Sequence, residues 1–298
     1  MKTLVKTLLF AAFVLVLAAC GNGNGDNGET TEGGEGRLEE LQEAGTVTIG
    51  FSNEAPYAYE EDGELKGAAV DIATAVFNEL GIDNVEGQLA EWGQLIPGVQ
   101  AGQFDAITAG MAITPDRAEN ALFGEPEMVY GEGLVVEAGN PQNIYSFEDI
   151  ANNPDITVIV MEGSTAYDFL LESGVSEDQI DTASDIPATF AAVQAGRADA
   201  TTGTEMTMRM AFESADTEDL EIVEDFQQPE DIEGVPSYGA AAFSLENEEL
   251  RDAYNEALAD LKADGTVQEL LEANGFHPET NFPPEEVTAE SVISGEDY

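Results

Sequence analysis

The chain has 298 residues, 43 % of them hydrophobic, and carries 61 acidic against 9 basic side chains, a net charge of −52. This length and apolar content suit two lobes of about 100–150 residues each, and the scarcity of basic residues excludes a nucleic-acid backbone as partner. So acidic a surface repels itself at low ionic strength and is relieved near molar salt, where the screening length is about 3 Å; a saline habitat is expected, with an ordinary acidic extracellular protein as the plainer alternative.

The N-terminus reads as an address. Lys2 and Lys6 give it a positive start, and Leu8 to Ala19 is an apolar run too short to span a bilayer and long enough for a signal peptide, assigned to residues 1–19. The run ends in Leu17-Ala18-Ala19-Cys20 before a glycine. This resembles a lipobox, the bacterial lipoprotein signal whose cleavage leaves Cys20 as a lipidated N-terminus. Cleavage there removes two lysines and no acid, leaving seven basic residues against 61 acidic. Cys20 is the sole cysteine, so no internal disulfide is possible. Residues 20–43 are expected to be the lipidated cysteine and a flexible acidic, glycine-rich linker, since 21–36 contain nothing apolar to bury.

Val47 to Phe51 is rich in β-branched residues and reads as the first strand. Gly67 opens a helix in which Ile72, Ala73, Val76, Phe77 and Leu80 recur at helical spacing and which Gly81 ends. The alternation continues with a helix at 95–102, strands at 105–110 and 131–139, a helix at 146–152, a strand at 157–163, helices at 165–174 and 189–196, and a strand at 198–204. Two helices, 247–265 and 266–275, close the folded part, each ending in glycine. Such alternation predicts α/β architecture with mainly parallel sheets. The expected division is lobe 1 at 44–136 plus 241–281, lobe 2 at 137–240, and a loose Pro- and acid-rich tail at 282–298.

One phrase occurs twice. Val99 to Thr108 and Val193 to Thr202 both read V-Q-A-G-x-x-D-A-x-T, 94 residues apart. Each copy is a helix that ends at Gly102 or Gly196, a two-residue turn, and a strand that begins at Asp105 or Asp199, both read as structural aspartates. Ligands of open α/β sheets sit beyond the carboxyl ends of the strands. The segments Ala109–Arg117 and Thr202–Met206, at the ends of the repeats, are therefore expected to face a ligand.

Candidate site residues cluster there and after the first strand. Arg117 offers a planar fork for a carboxylate, and the plainer reading is an ion pair with a surface acid. Glu54, in Asn53-Glu54-Ala55-Pro56-Tyr57, could hold a cation or simply be solvated. Tyr57 and Trp92, the only tryptophan, could wall a planar or cationic ligand or pack in the core. Ser164 and Thr165 begin a helix whose N–H groups suit a carboxylate, and capping alone would also explain them. Thr204 and Glu205 follow the second repeat. No nucleophile–base pair or metal-ligand cluster is apparent, and the sole histidine, His277, reads as a surface residue.

Together these segments, from GTVTIGFSNEAPYAY through LIPGVQAGQFDAITAGMAITPDR to LRDAYNEALADLKADGT, resemble the extracellular solute-binding proteins of family 3, which serve polar amino-acid ABC importers; the likeness spans roughly 44–277. The resemblance implies a two-lobed periplasmic-binding-protein (type II) fold with two hinge strands that closes on its ligand. It also implies a monomer working with an ABC transporter permease, with neither enzyme activity, cofactor nor metal, reaching the membrane only through lipid on Cys20. Asn53-Glu54-x-Pro56-Tyr57, Gly67-Ala68-Ala69 and Glu91-Trp92-Gly93 are most similar to the members that bind ectoine or hydroxyectoine. That likeness implies Glu54 for the amidinium of such a zwitterion, Tyr57 and Trp92 as ring walls, Gly110 beside them, and Arg117 for the carboxylate. It leaves Ala112 where a third aromatic wall is expected, with Met111 to fill the gap. Many amino-acid binders of the family place an acid near Glu205 for the α-amino group, so a polar amino acid is the alternative ligand. A periplasmic dehydratase on the same scaffold is the remaining alternative.

Overall fold

The computed structural model describes residues 36–295 apart from 216, 231 and 233. The expected signal segment, Cys20 and the linker up to residue 35 lie outside the described residues. The strands in chain order are β1 (Thr46–Phe51), β2 (Tyr59–Glu61), β3 (Glu64–Lys66), β4 (Asn84–Leu89), β5 (Ala106–Ala112), β6 (Leu122–Phe123), β7 (Met128–Tyr130), β8 (Glu132–Glu137), β9 (Val158–Met161), β10 (Ile180–Ala183), β11 (Ala200–Thr204), β12 (Leu220–Ile222) and β13 (Ser237–Phe243).

They form two principal sheets. In the first, the order is β4-β1-β5-β13-β6, with β7 also on β13; in the second it is β10-β9-β11-β8-β12. β1 runs parallel to β4 and β5, and β9 runs parallel to β10 and β11. The remaining pairings, through β13 and β8, are antiparallel. The sheets are therefore mixed rather than mainly parallel. Helical crossovers account for the parallel part, whereas β8 and β13 are the strands entered as the chain passes from one sheet to the other. That passage falls at Gly131 and, on the return, between Ile222 and Ser237. Both differ by a few residues from the divisions expected at 136/137 and 240/241, because β8 and β13 each lie whole within one sheet.

The two repeats have the same local construction. Gly102 and Gly196 take φ of 67° and 65°, ending helices Leu95–Gln100 and Ile186–Gln194. Asp105 N donates to Thr48 O at 2.8 Å and its Oδ2 accepts from Thr48 N at 2.9 Å. Asp199 repeats this on Thr157, at 2.8 and 2.9 Å. Each aspartate thus ties the start of its strand to the neighbouring parallel strand, the structural role expected of it.

Two expectations at the ends of the folded part are corrected. Residues expected in the linker as far as 43 begin a helix, Arg37–Ala44, because Leu41 is buried and Arg37 pairs with Asp105. The segment from 282 is no loose tail as far as 295. Asn281 Nδ2 donates to Val129 O at 2.9 Å, Val287 and Val292 are buried, and Thr288 and Ser291 form a reciprocal cap on helix Ala289–Ser294. Ala289 N donates to Glu125 at 3.0 Å, and this last helix packs beside the helical turn Pro115–Ala118 that carries Arg117.

Candidate ligand-binding cleft

Residues from both sheets line one cleft: Glu54, Tyr57, Trp92, Gly110, Ala112, Arg117 and Tyr130 from the first sheet and its loops, and Glu132, Met161, Ser164, Thr165, Ile186, Thr202 and Thr204 from the second. The local sequence explains how each is presented. Glu54 and Tyr57 sit on a tight turn closed by bonds from Tyr57 N and Ala58 N to Glu54 O, both 2.9 Å. The N-terminus of helix Ala68–Glu79 holds that turn, with Ala69 N donating to Tyr57 O at 2.9 Å. A Cβ on Gly67, whose φ is 120°, would stand 2.3 Å from that carbonyl, so the turn can approach only a glycine. Gly110 is constrained likewise: a Cβ there would lie 2.5 Å from the Tyr57 ring.

Arg117 is placed by the Thr114-Pro115 start of its helical turn. Thr114 Oγ1 accepts from Arg117 N at 3.2 Å and Pro115 occupies the first helical position. The guanidinium donates from Nη1 to Ala112 O at 3.0 Å and from Nη2 to Gly163 O at 2.9 Å, and its Cζ lies 5.7 Å from the Trp92 ring centroid. Trp92 Nε1 donates to the same Gly163 carbonyl at 3.1 Å. Arg37, Lys66, Arg209 and Arg251 form ion pairs, whereas Arg117 has no carboxylate within 4 Å among the described residues. The alternative of a surface ion pair is thereby set aside. Desolvation lowers its pKa from the ordinary arginine value, opposed by the negative ends of Tyr130, Asp168 and Glu54.

The acids of the cleft are desolvated as well. Glu54 is 8 % exposed, so it is not a solvated acid; burial raises its pKa to about 7, against a hydrogen bond from Thr207 and the field of Arg117. Thr204 donates to Thr207 at 2.9 Å and Thr207 to Glu54 Oε1 at 3.3 Å, linking the second sheet's lobe to the first. Glu132, 2 % exposed, has its Oε2 buried without a hydrogen-bond partner among the described residues, and burial and then Glu54 raise its pKa to about 8.

Of the expected residues, Glu54, Tyr57, Trp92, Gly110, Ala112, Arg117, Ser164, Thr165 and Thr204 meet in the cleft. Ser164 does not cap its helix; its hydroxyl donates to Met161 O at 2.8 Å. Two do not meet there. Met111 is 1 % exposed in the core, because alternation along β5 turns it away from the face that Gly110 and Ala112 share. Glu205 opens helix Glu205–Ala215, where its carboxylate lies 3.6 Å from Arg209 with 46 % of the side chain exposed. Tyr130 and Glu132 went unread. Tyr130 supplies the third aromatic side chain, 5.3 Å from Tyr57 in an edge-on contact, with its hydroxyl donating to Gly110 O at 2.6 Å. The only sequence signal for them was an acid and an aromatic flanking Gly131 where the chain passes between sheets.

Comparison with known proteins places the fold. The family profile for bacterial extracellular solute-binding proteins, family 3, matches residues 47–275. A probable amino-acid ABC transporter periplasmic-binding protein of Sinorhizobium fredii is 37 % identical over 82 % of this chain and 81 % of its own length. Among solved structures, that of EhuB in complex with hydroxyectoine has a TM-score of 0.78 at 32 % identity, covering 86 % of this chain and 97 % of that one. An ancestral amino-acid-binding protein, a precursor of cyclohexadienyl dehydratase, has a TM-score of 0.67 at 30 % identity, covering 79 % and 98 %.

Proposed function

The chain belongs to the bacterial extracellular solute-binding proteins of family 3, the substrate-binding components of ABC importers of amino-acid type, and from that premise we propose that it captures an ectoine-type zwitterion, ectoine or hydroxyectoine. The observation that carries this reading is the pairing of opposite charges in one desolvated cleft. Among the described residues Arg117 has no carboxylate partner of its own, and Glu54 faces the same space. In this reading Arg117 takes the ligand carboxylate, aided by the Ser164–Thr165 helix start. Glu54 takes the amidinium, and Tyr57, Trp92 and Tyr130 wall the ring. Thr204 acts through Thr207 on Glu54. Micromolar binding requires about −8 kcal/mol, within reach of two charge-assisted contacts and stacked walls in a closed site. The hydroxyectoine complex of the 32 % identical neighbour supports the ligand class.

A polar amino acid is the second reading, favoured by the second cleft acid, Glu132, and by the amino-acid transport assignment of the Sinorhizobium relative. We further propose a monomer held by lipid on Cys20 at the outer face of the membrane, handing its ligand to a permease, in an organism of saline habitat. The lobe divisions that accompany this reading follow the sheets, with the hinge at Gly131 and in the return between Ile222 and Ser237. The test is a thermal-shift panel of ectoine, hydroxyectoine, glycine betaine, glutamine and arginine at about 2 M NaCl. A ligand held at 100 times its Kd should stabilise the protein by about 2.7 kcal/mol. Shifts with glutamine or arginine and none with the ectoines would replace the first reading by the second. Equal melting temperatures in about 0.05 M and 2 M NaCl would refute the saline reading.

A further inference from the structure

The acid expected after the second repeat is in the cleft, but on another strand. Glu205 turns outward to Arg209. Thr204, the last residue of β11, pairs in register with Glu132, the first of β8. Side chains directly opposite on antiparallel strands stand about 5 Å apart, so Glu132 reaches the space that an acid at position 204 would occupy. Its backbone N–H and C=O are both held by one side chain: Glu132 N donates to Gln228 Oε1 at 2.8 Å and Gln228 Nε2 to Glu132 O at 2.7 Å. The side chain is left to the cleft, with Oε2 buried and unpartnered.

An unpartnered buried carboxyl costs stability unless something compensates it. Packing does not demand an acid here, since glutamine has the same shape. We infer that Glu132 is the second ligand-binding acid of the cleft, and that with Glu54 it recognises a cationic group carrying at least two N–H donors that point in different directions. The inference rests on the zwitterion reading above. Amidinium, guanidinium and primary ammonium groups meet the requirement; a quaternary ammonium, with no N–H, does not.

The charged and titratable groups around Glu132 are Glu54 on the turn after β1, Tyr57 and Tyr130, Arg117 across the cleft, and Glu205 and Arg209, paired to each other on the helix against β8. Glu54 is the one that acts on it directly, raising its proton affinity along with burial. A cation placed between the two acids reverses that effect, so binding near pH 7 releases protons.

The experiment is calorimetric titration of the full chain and of Glu132→Gln with ectoine, L-arginine and glycine betaine, near pH 7 in two buffers of different ionisation heat. Circular dichroism and melting temperature monitor the fold, and Glu132→Asp serves as second variant should Glu132→Gln fail to fold. The expected result is that ectoine or arginine binds the wild type with proton release, and that Glu132→Gln binds at least about tenfold more weakly with that release diminished. Unchanged affinity and unchanged proton release in the folded variant would overturn the role of Glu132 and leave the transport reading standing. Preference of the wild type for glycine betaine would overturn recognition of N–H donors. No binding of any of the three would overturn the zwitterion reading and this inference with it.

Discussion

The two copies of V-Q-A-G-x-x-D-A-x-T are alike where they build and different where they end. Both stop a helix on a glycine of positive φ, and both clamp a neighbouring strand through an aspartate. The first then runs through Gly110 and Ala112 to Arg117, while the second ends at Thr204, opposite Glu132. One strand end thus supplies a cation and the other hydroxyls beside an acid. The scaffold is written twice and the chemistry once, split between the copies.

The sharpest way to break that division is at its basic residues. Arg117→Ala should weaken ligand binding by at least about 100-fold, the loss of a desolvated bidentate contact, with the fold intact by circular dichroism. Arg197, inside the second copy, is exposed, and Arg197→Ala should leave Kd within about twofold. Comparable losses in both variants, measured by calorimetry, would show that long-range charge rather than position gives Arg117 its role.

How far the site could be read from the chain follows the same division. Arg117 was legible because basic residues are scarce and Thr114-Pro115 announces the helical turn that holds it. The helix from Ala68 and strands β1 and β5 were legible from their period. Glu132 and Tyr130 were not, because what brings them to the cleft is pairing between strands far apart in the chain, β8 with β11 (Glu132 with Thr204) and β7 with β13 (Tyr130 with Ser237), and no local pattern encodes it. Met111 and Glu205 failed by one residue each, since a single step along a strand, or from strand into helix, turns a side chain to the other face. The helix at Ala289–Ser294 carried a readable signal, the Thr288–Ser291 cap, masked by the surrounding prolines and acids.

A second comparison separates the cleft acids from a buried acid outside it. Glu127 is fully buried, accepts from Tyr254 at 2.6 Å, and has its pKa raised to about 7, chiefly by desolvation. Its folded pKa exceeds the unfolded value of 4.5, so the folded state binds more protons between them. Stability is then fully present below pH 4.5 and declines as pH rises through 7, by about 3 kcal/mol at most. Glu54 and Glu132 add the same slope, with Glu132 extending it to about pH 8. Melting temperature should therefore fall from pH 5 to pH 8, and Glu127→Gln should flatten the slope without changing ligand affinity. Glu132→Gln should flatten it and change affinity too. Identical slopes in wild type and Glu127→Gln would contradict the buried-acid account.

The smallest expected effect returns to the repeated aspartates. Asp199→Ala should cost about 1–2 kcal/mol, the loss of one carboxylate bond to a backbone N–H, measured by urea denaturation. Asp105→Ala should cost more, because Asp105 Oδ1 also accepts from Arg37 Nε and Nη2, at 2.9 and 2.5 Å. The Arg37 side chain is 41 % exposed, so solvent screening holds that increment to about 0.5–1 kcal/mol. Asp199 has only a weaker counterpart, Gln142 at 3.3 Å. If the two clamps are the same device, Asp105→Ala made in an Arg37→Ala background should cost what Asp199→Ala costs in the wild type. A cycle in which Asp105 stays the costlier residue after Arg37 is gone would show that the first copy is built differently at its base as well as at its end.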